Sequence, residues 1–193
     1  LYTMTVNDMP SGRGYGESLK KYFNIDDGIH VIGMVDSQNT NHTLLSTESG
    51  YGFICDNHDL SSSNRKGKAI LKNKASMLSK PVAFKMGDYK YYILITDKQY
   101  MLVGDLSDIP IMSKGKGVKL INIPKSDEEE KIVFSGVIKD GERLEIASKN
   151  KRTKYIEFED LEPYIMNRTR RGKKIENKYT HKNAKLIYNT GKK

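Results

Sequence analysis

The chain of 193 residues has no tryptophan, one cysteine and only five phenylalanines. A lone cysteine, Cys55, excludes an intrachain disulfide and fits a reducing compartment. Twelve tyrosines against five phenylalanines suit thin sheets with polar rims better than a thick core. No apolar run approaches the roughly 20 residues of a membrane helix. No secretory signal pattern is visible. Helical periodicity is missing over any useful length, which argues against helix bundles. His30, His42, His58 and His181 are scattered without metal-ligand spacing. No GxxxxGK[ST] run offers a nucleotide loop. Cys55 reads as a small buried apolar residue rather than a nucleophile. Asp105 and Asp108 sit at a short turn, where carboxylates serve as caps.

What the chain does have is a repeated basic loop. Ser113-Lys114-Gly115-Lys116-Gly117-Val118-Lys119 packs three lysines and two glycines ahead of an apolar stretch. Ser11–Glu17, Asn64–Ile70 and Arg168–Ile175 are built alike. Their glycines Gly16, Gly67, Gly117 and Gly172 lie 51, 50 and 55 residues apart. A period near fifty means a repeat architecture that builds one surface several times. The net charge of +9 follows that period. Residues 1–60 carry 3 basic and 8 acidic groups, and residues 61–125 carry 13 and 4. Residues 126–160 carry 7 and 10, and residues 161–193 carry 10 and 2. Positive charge concentrated with the later loops points to a polyanionic partner rather than a merely solubilising surface.

Short strands with turn signals recur through each unit. Leu19–Phe23, His30–Val35, Thr43–Thr47 and Tyr51–Cys55 are the predicted strands of a unit over 18–60. Val82–Lys85, Lys90–Thr96 and Tyr100–Gly104 belong to a unit over 68–108. Ile132–Ile138, Arg143–Ala147 and Thr153–Phe158 belong to one over 120–166. Tyr91–Ile95 lacks alternation and reads as a strand covered on both faces. Short helical turns at Asp56–Leu60, Asp105–Ile109 and Glu159–Glu162 lead into the basic loops. Residues 1–10 read as the end of an earlier blade, so the chain is expected to be a piece of something longer. The acidic run Asp127–Glu130 reads as a solvated loop with no task. Residues 176–193 form a basic tail in which Ala184–Tyr188 has strand character. The fold class is all-β: propeller-like blades of about four strands per fifty residues in an incomplete ring, one assembly over 1–175.

Glycine lets the backbone approach a phosphate closely, and flanking Lys and Arg add charge and forked donors. The candidate phosphate contacts are Arg13, Arg65, Lys66, Lys68, Lys114, Lys116, Lys119, Arg170, Arg171 and Lys173. Were Lys114, Lys116 and Lys119 all on phosphate, their joint loss would lower the salt slope by about three units. Nothing in the loops argues for reading base edges, so backbone and bend recognition of duplex DNA is expected. Tyr15, among the glycines, either stacks on the ligand or covers a blade edge.

These residues resemble a family. Asp108-Ile109-Pro110 with Ser113–Pro124, and Gly50–Phe53 followed by Asp59-Leu60 and Asn64–Ala69, are similar to connectors in the C-terminal domain of the A-subunit of bacterial DNA topoisomerase IV. Pro10–Glu17 and Arg170-Arg171-Gly172 resemble the connectors that precede and follow these. The resemblance covers roughly residues 1 to 175 and lies within the gyrase A/topoisomerase IV A family. It implies a β-pinwheel, a propeller-like ring whose blades exchange strands and whose basic rim binds and bends DNA. It implies partners as well: duplex DNA, the topoisomerase IV B-subunit in the holoenzyme, and the catalytic core of the same subunit, with no membrane. The parent would be an ATP-hydrolysing type II topoisomerase of the bacterial cytoplasm and nucleoid, active in strand passage, decatenation, supercoil relaxation and chromosome segregation. ATP and Mg²⁺ are expected elsewhere in that enzyme, with no cofactor or metal in this domain. The family's active tyrosine follows an arginine, and no Arg-Tyr pair occurs here, so no catalytic residue is expected.

Two other readings stay open. The DNA-wrapping domain of gyrase A is marked by a box of Gln, basic residues and a Gly pair, and none of the four loops carries it. A non-catalytic propeller that binds proteins would show an apolar or mixed patch and weak salt dependence.

Overall fold

The computed structural model describes residues 1–72, 77–127, 129–147, 153–175 and 185–188. Three antiparallel hairpins form its frame. They are β1 (His42–Ser46) with β2 (Tyr51–Asp56), β4 (Tyr91–Thr96) with β5 (Tyr100–Asp105), and β8 (Glu142–Ala147) with β9 (Thr153–Glu157). Positive-φ residues turn the first two hairpins: Gly50 takes φ of 84°, and Gln99 takes 69° at the turn without glycine.

Each sheet is completed by strands from later in the chain. β3 (Val82–Phe84) adds to β1, and β6 (Val118–Lys119) adds to β2, giving the order β3-β1-β2-β6. β7 (Ile132–Ile138) and β10 (Lys173–Lys174) do the same for the second hairpin, in the order β10-β5-β4-β7. β11 (Lys185–Tyr188), inside the basic tail, pairs with β8. This is the strand-exchanged β-propeller, or pinwheel, arrangement, as an open arc of blades.

The blades stack face to face. Leu44, Ile54 and Phe84 of the first sheet pack on Tyr92, Leu94 and Leu102 of the second. Ile93, Ile95, Met101 and Val103 point the other way, onto Leu144, Ile146 and Ile156 of the third. Alternate residues of Tyr91–Ile95 therefore fill two different cores, which is why the run shows no polar face. Phe53, Cys55, Leu60 and Ile70 form a smaller cluster on the far face of the first sheet. Burial pushes the Cys55 thiol up to about 11, so it stays protonated and inert near neutrality.

A 3-10 turn closes each hairpin: Asn57–Leu60, Leu106–Asp108 and Phe158–Tyr164, with a fourth at Val6–Asp8. Asp56 and Asp105 cap two of them, accepting from the backbone N–H of His58 and Ser107.

Three expectations fail. Leu19–Lys21 is a 3-10 turn, not a strand. His30–Val35 forms no strand, and Val31 and Met34 are exposed. The cause lies in the strand exchange: β3 and β7 each extend the hairpin of the unit before, and residues 1–41 contain no hairpin for 30–35 to extend. Third, the acidic run is not wholly solvated, because Glu130 is buried.

Leu102 is fully buried at the contact between the first two blades. Leu102→Ala should cost about 2–5 kcal/mol, read as a lowered urea midpoint at unchanged m.

Candidate nucleic-acid interface

The third and fourth basic loops are connectors, each seated on the hairpin of the unit before it. On entry, the chain bridges that hairpin's second strand in parallel, Ile111 beside Ile54 and Ile165 beside Val103. On exit, it pairs antiparallel near the start of the same strand, Val118 with Gly52 and Lys173 with Met101. The loop between is thus pinned at both ends.

The turning residue is a glycine for two reasons. Gly117 and Gly172 take φ of 75° and 93°. A Cβ there would lie 2.2 Å from Gly52 O and 2.5 Å from Met101 O. Gly67 repeats the device against Leu1 O, at 2.6 Å. No L-residue with a Cβ fits so close to a carbonyl.

The connectors are also tied to one another. The carbonyl two residues before each glycine accepts from the segment that leaves the previous connector. Asn24 N–H donates to Arg65 O at 2.8 Å, Lys72 N–H to Gly115 O at 2.8 Å, and Asn122 N–H to Arg170 O at 2.9 Å. Each connector therefore lies against the exit of its predecessor.

The candidate residues divide by what their charged ends touch. Arg13, Lys66, Lys114 and Arg170 are exposed, and their side chains touch no partner among the described residues. Lys173 is exposed, its Nζ 5.8 Å from the Tyr164 ring centroid. Lys116 is exposed, its Nζ 4.4 Å from the ring centroid of Tyr51. Lys68 Nζ donates to Asp59 O at 2.8 Å, and Lys119 Nζ to Asn122 Oδ1 at 3.1 Å. Arg65 donates from Nε to Tyr22 O and from Nη2 to Lys21 O.

Arg171 departs furthest from the expectation. Its Nη2 donates to Asp127 Oδ2 at 2.7 Å and to Glu130 Oε2 at 2.6 Å, and its guanidinium lies 4.0 Å over the Tyr100 ring. Glu130 in turn accepts from the Thr96 hydroxyl at 2.6 Å. Arg171 thus meets two carboxylates before it meets any outside anion, and part of the acidic run acts as a brace for the fourth connector. Tyr15, by contrast, covers no blade edge, being fully exposed.

Sequence reasoning missed Tyr51, Tyr100, Arg168 and Glu130. Tyr51 and Tyr100 open matching strands, and the cation just before the next connector's glycine, Lys116 or Arg171, lies over each ring. The recurrence of these tyrosines was the available signal. Arg168 gives Nη1–H to Lys119 O.

Glu130→Ala leaves the buried Thr96 hydroxyl without its acceptor, and should cost about 1–3 kcal/mol in urea unfolding. The hydrogen bond from Lys98, with Arg171 beside it, holds the Asp127 carboxyl below the usual carboxylate range. A folded-state value below the unfolded one means stability that is fully present above the unfolded value, near pH 4. It is lost as the pH falls through the folded value. Asp127→Asn should remove that part of the acid sensitivity, read by comparing unfolding midpoints at neutral and acid pH.

Comparisons with known proteins agree with this geometry. The family model described as "DNA gyrase C-terminal domain, beta-propeller" matches residues 41–75 and 90–139. The A-subunit of DNA topoisomerase 4 from Haemophilus influenzae is 33% identical over 176 residues, 89% of this chain and 23% of that protein. The Escherichia coli K12 protein of the same description is 35% identical over 128 residues, 65% of this chain and 17% of that one. The chain thus spans less than a quarter of the length of these relatives. The solved E. coli ParC C-terminal domain superposes with a TM-score of 0.82 at 28% identity, over 97% of this chain and 77% of that one. Connectors, exchanged strands and sequence together show that the chain belongs to the family of gyrase A and topoisomerase IV A C-terminal domains.

Proposed function

We propose that the connectors form a curved track that holds duplex DNA by its phosphates and bends it. The observation that carries this reading is the repetition of one arrangement. Three connectors of the same build each present a solvent-facing cation, Lys66, Lys114 or Arg170, with no internal partner among the described residues. Each connector also lies against the exit of the one before. One free charge on each of three successive connectors suits a polymer of regular charge. A bent duplex keeps more of them in reach than a straight one.

Not every lysine and arginine of the loops serves alike. Lys116, leaning on Tyr51, still presents an ammonium to solvent. Lys173 and the exposed Arg13 extend the set. Arg171, braced by carboxylates, serves to shape its loop. Lys68 and Lys119 are half-buried and contribute at closer range.

In the parent protein, which we propose is the A-subunit of a topoisomerase IV, the track would present duplex DNA to the catalytic core of the same subunit. The topoisomerase IV B-subunit would supply ATP hydrolysis, with Mg²⁺ also bound outside this domain. Strand passage, decatenation and supercoil relaxation by a bacterial enzyme working on the nucleoid follow from that reading. The resemblance to topoisomerase IV connectors, without a Gln-basic-Gly-Gly box in any loop, favours this over gyrase-type wrapping.

Fluorescence anisotropy of a labelled duplex across a salt series tests the proposal. Affinity should fall steeply with salt in the parent chain. Replacing Lys66, Lys114 and Arg170 together by Gln should reduce the slope of log K against log salt by about 2.7. A parent that ignores salt, or a triple variant with the parent's slope, rejects the track.

A further inference from the structure

We infer that Arg65 and Arg168 are positioning residues, latches that fix the angle between successive connectors and so set the curve of the bound duplex. The inference rests on the DNA-binding reading above. It reassigns Arg65, whose loop position marks it as a phosphate contact, and gives a role to Arg168.

Both side chains reach back to the exit of the preceding connector. Arg65 spans two consecutive carbonyls there, Tyr22 O from Nε at 3.1 Å and Lys21 O from Nη2 at 2.7 Å. Arg168 donates from Nη1 to Lys119 O at 3.1 Å. Beside each latch runs a backbone hydrogen bond of the same joint, Asn24 N–H to Arg65 O and Asn122 N–H to Arg170 O. The side chain and the backbone together resist rotation of one connector about the next, where one bond alone acts as a hinge. The third connector has no arginine at this joint. It has two backbone bonds instead, Gly115 N–H to Ile70 O at 2.9 Å and Lys72 N–H to Gly115 O at 2.8 Å. Three joints thus each carry two or more hydrogen bonds, and two of them depend on an arginine side chain.

The requirement for such a joint is mechanical. A stiff duplex follows a curve only if the charges that hold it are themselves held on that curve. If successive connectors swing freely, they follow the straight duplex and the DNA stays straight. Binding then survives, because the phosphate contacts are the same. Bending and affinity are separable in this design, and the latches belong to bending.

Lysine separates a latch from a phosphate contact. It keeps the charge of arginine but is a point donor on a flexible stem, without the planar guanidinium by which Arg65 spans two carbonyls and Arg168 reaches one. The complete chain carrying Arg65→Lys and Arg168→Lys is compared with its parent and with the Lys114→Gln variant. The probe is a linear duplex well below the roughly 150-base-pair persistence length, with a donor and an acceptor dye at its ends. Anisotropy gives the salt slope and energy transfer gives the bend. Unfolding midpoints show whether the variants remain folded.

The lysine pair should keep the parent's slope while energy transfer falls toward that of free duplex. Lys114→Gln should show the reverse emphasis, with the slope reduced by about 0.9. A second pair, Arg65→Gln with Arg168→Gln, should also keep the slope if neither arginine touches phosphate. A slope lowered by about 1.8 makes both of them phosphate contacts and overturns the latch. Undiminished energy transfer in a folded lysine pair overturns it as well. A parent that binds no duplex rejects the DNA reading and the latch together, whereas a parent that binds and bends, beside variants that bend equally, rejects the latch alone.

Discussion

The contact on which the rest depends is a glycine pressed against a carbonyl of the blade before. At Gly117 and Gly172 the chain turns with positive φ in the space a methyl group would need. That approach brings Val118 and Lys173 into register with Gly52 and Met101. Without it the exchanged strand has no partner, the sheet loses an edge strand, and the loop is free. A backbone device of two atoms therefore decides where a whole set of lysines and arginines faces.

The blades supply the rigidity that this arrangement needs. β4 and β5 sit between two cores and bury residues on both faces. The hydrophobic effect has no direction, but alternation along a strand gives it one, sending Tyr92 and Leu94 one way and Ile93 and Ile95 the other. The Tyr92 hydroxyl still finds a partner, donating to Leu120 O at 3.0 Å just past the third connector. Core and connector are thus joined by a buried hydrogen bond as well as by packing.

Charge in the connectors serves two ends. Some cations are engaged inside the protein: Arg171 on Asp127 and Glu130, Arg65 and Arg168 on backbone carbonyls, Lys68 on Asp59 O. Others, Lys66, Lys114 and Arg170, keep their charge in solvent. Proximity in sequence does not separate the two groups, since Arg170 and Arg171 are neighbours with opposite fates. In the third and fourth connectors the residue just before the glycine, Lys116 or Arg171, lies over the tyrosine that opens the hairpin's second strand, whereas Lys66, just before Gly67, stays in solvent.

The sequence alone determined the repeat, the hairpins and the loops, because these depend on local chemistry: glycine at turns, alternation along strands, the fifty-residue spacing of basic runs. It also carried the family likeness. Tertiary structure alone decided which strand belongs to which sheet. Residues 30–35 carry a strand pattern and yet form none, since a strand needs hydrogen-bonding partners and theirs would come from the unit before. It alone decided that Glu130 is buried, that Arg171 is braced and that Arg65 reaches back to the preceding connector. Those facts hang on contacts between residues some forty positions apart, and composition is blind to what the chain brings together.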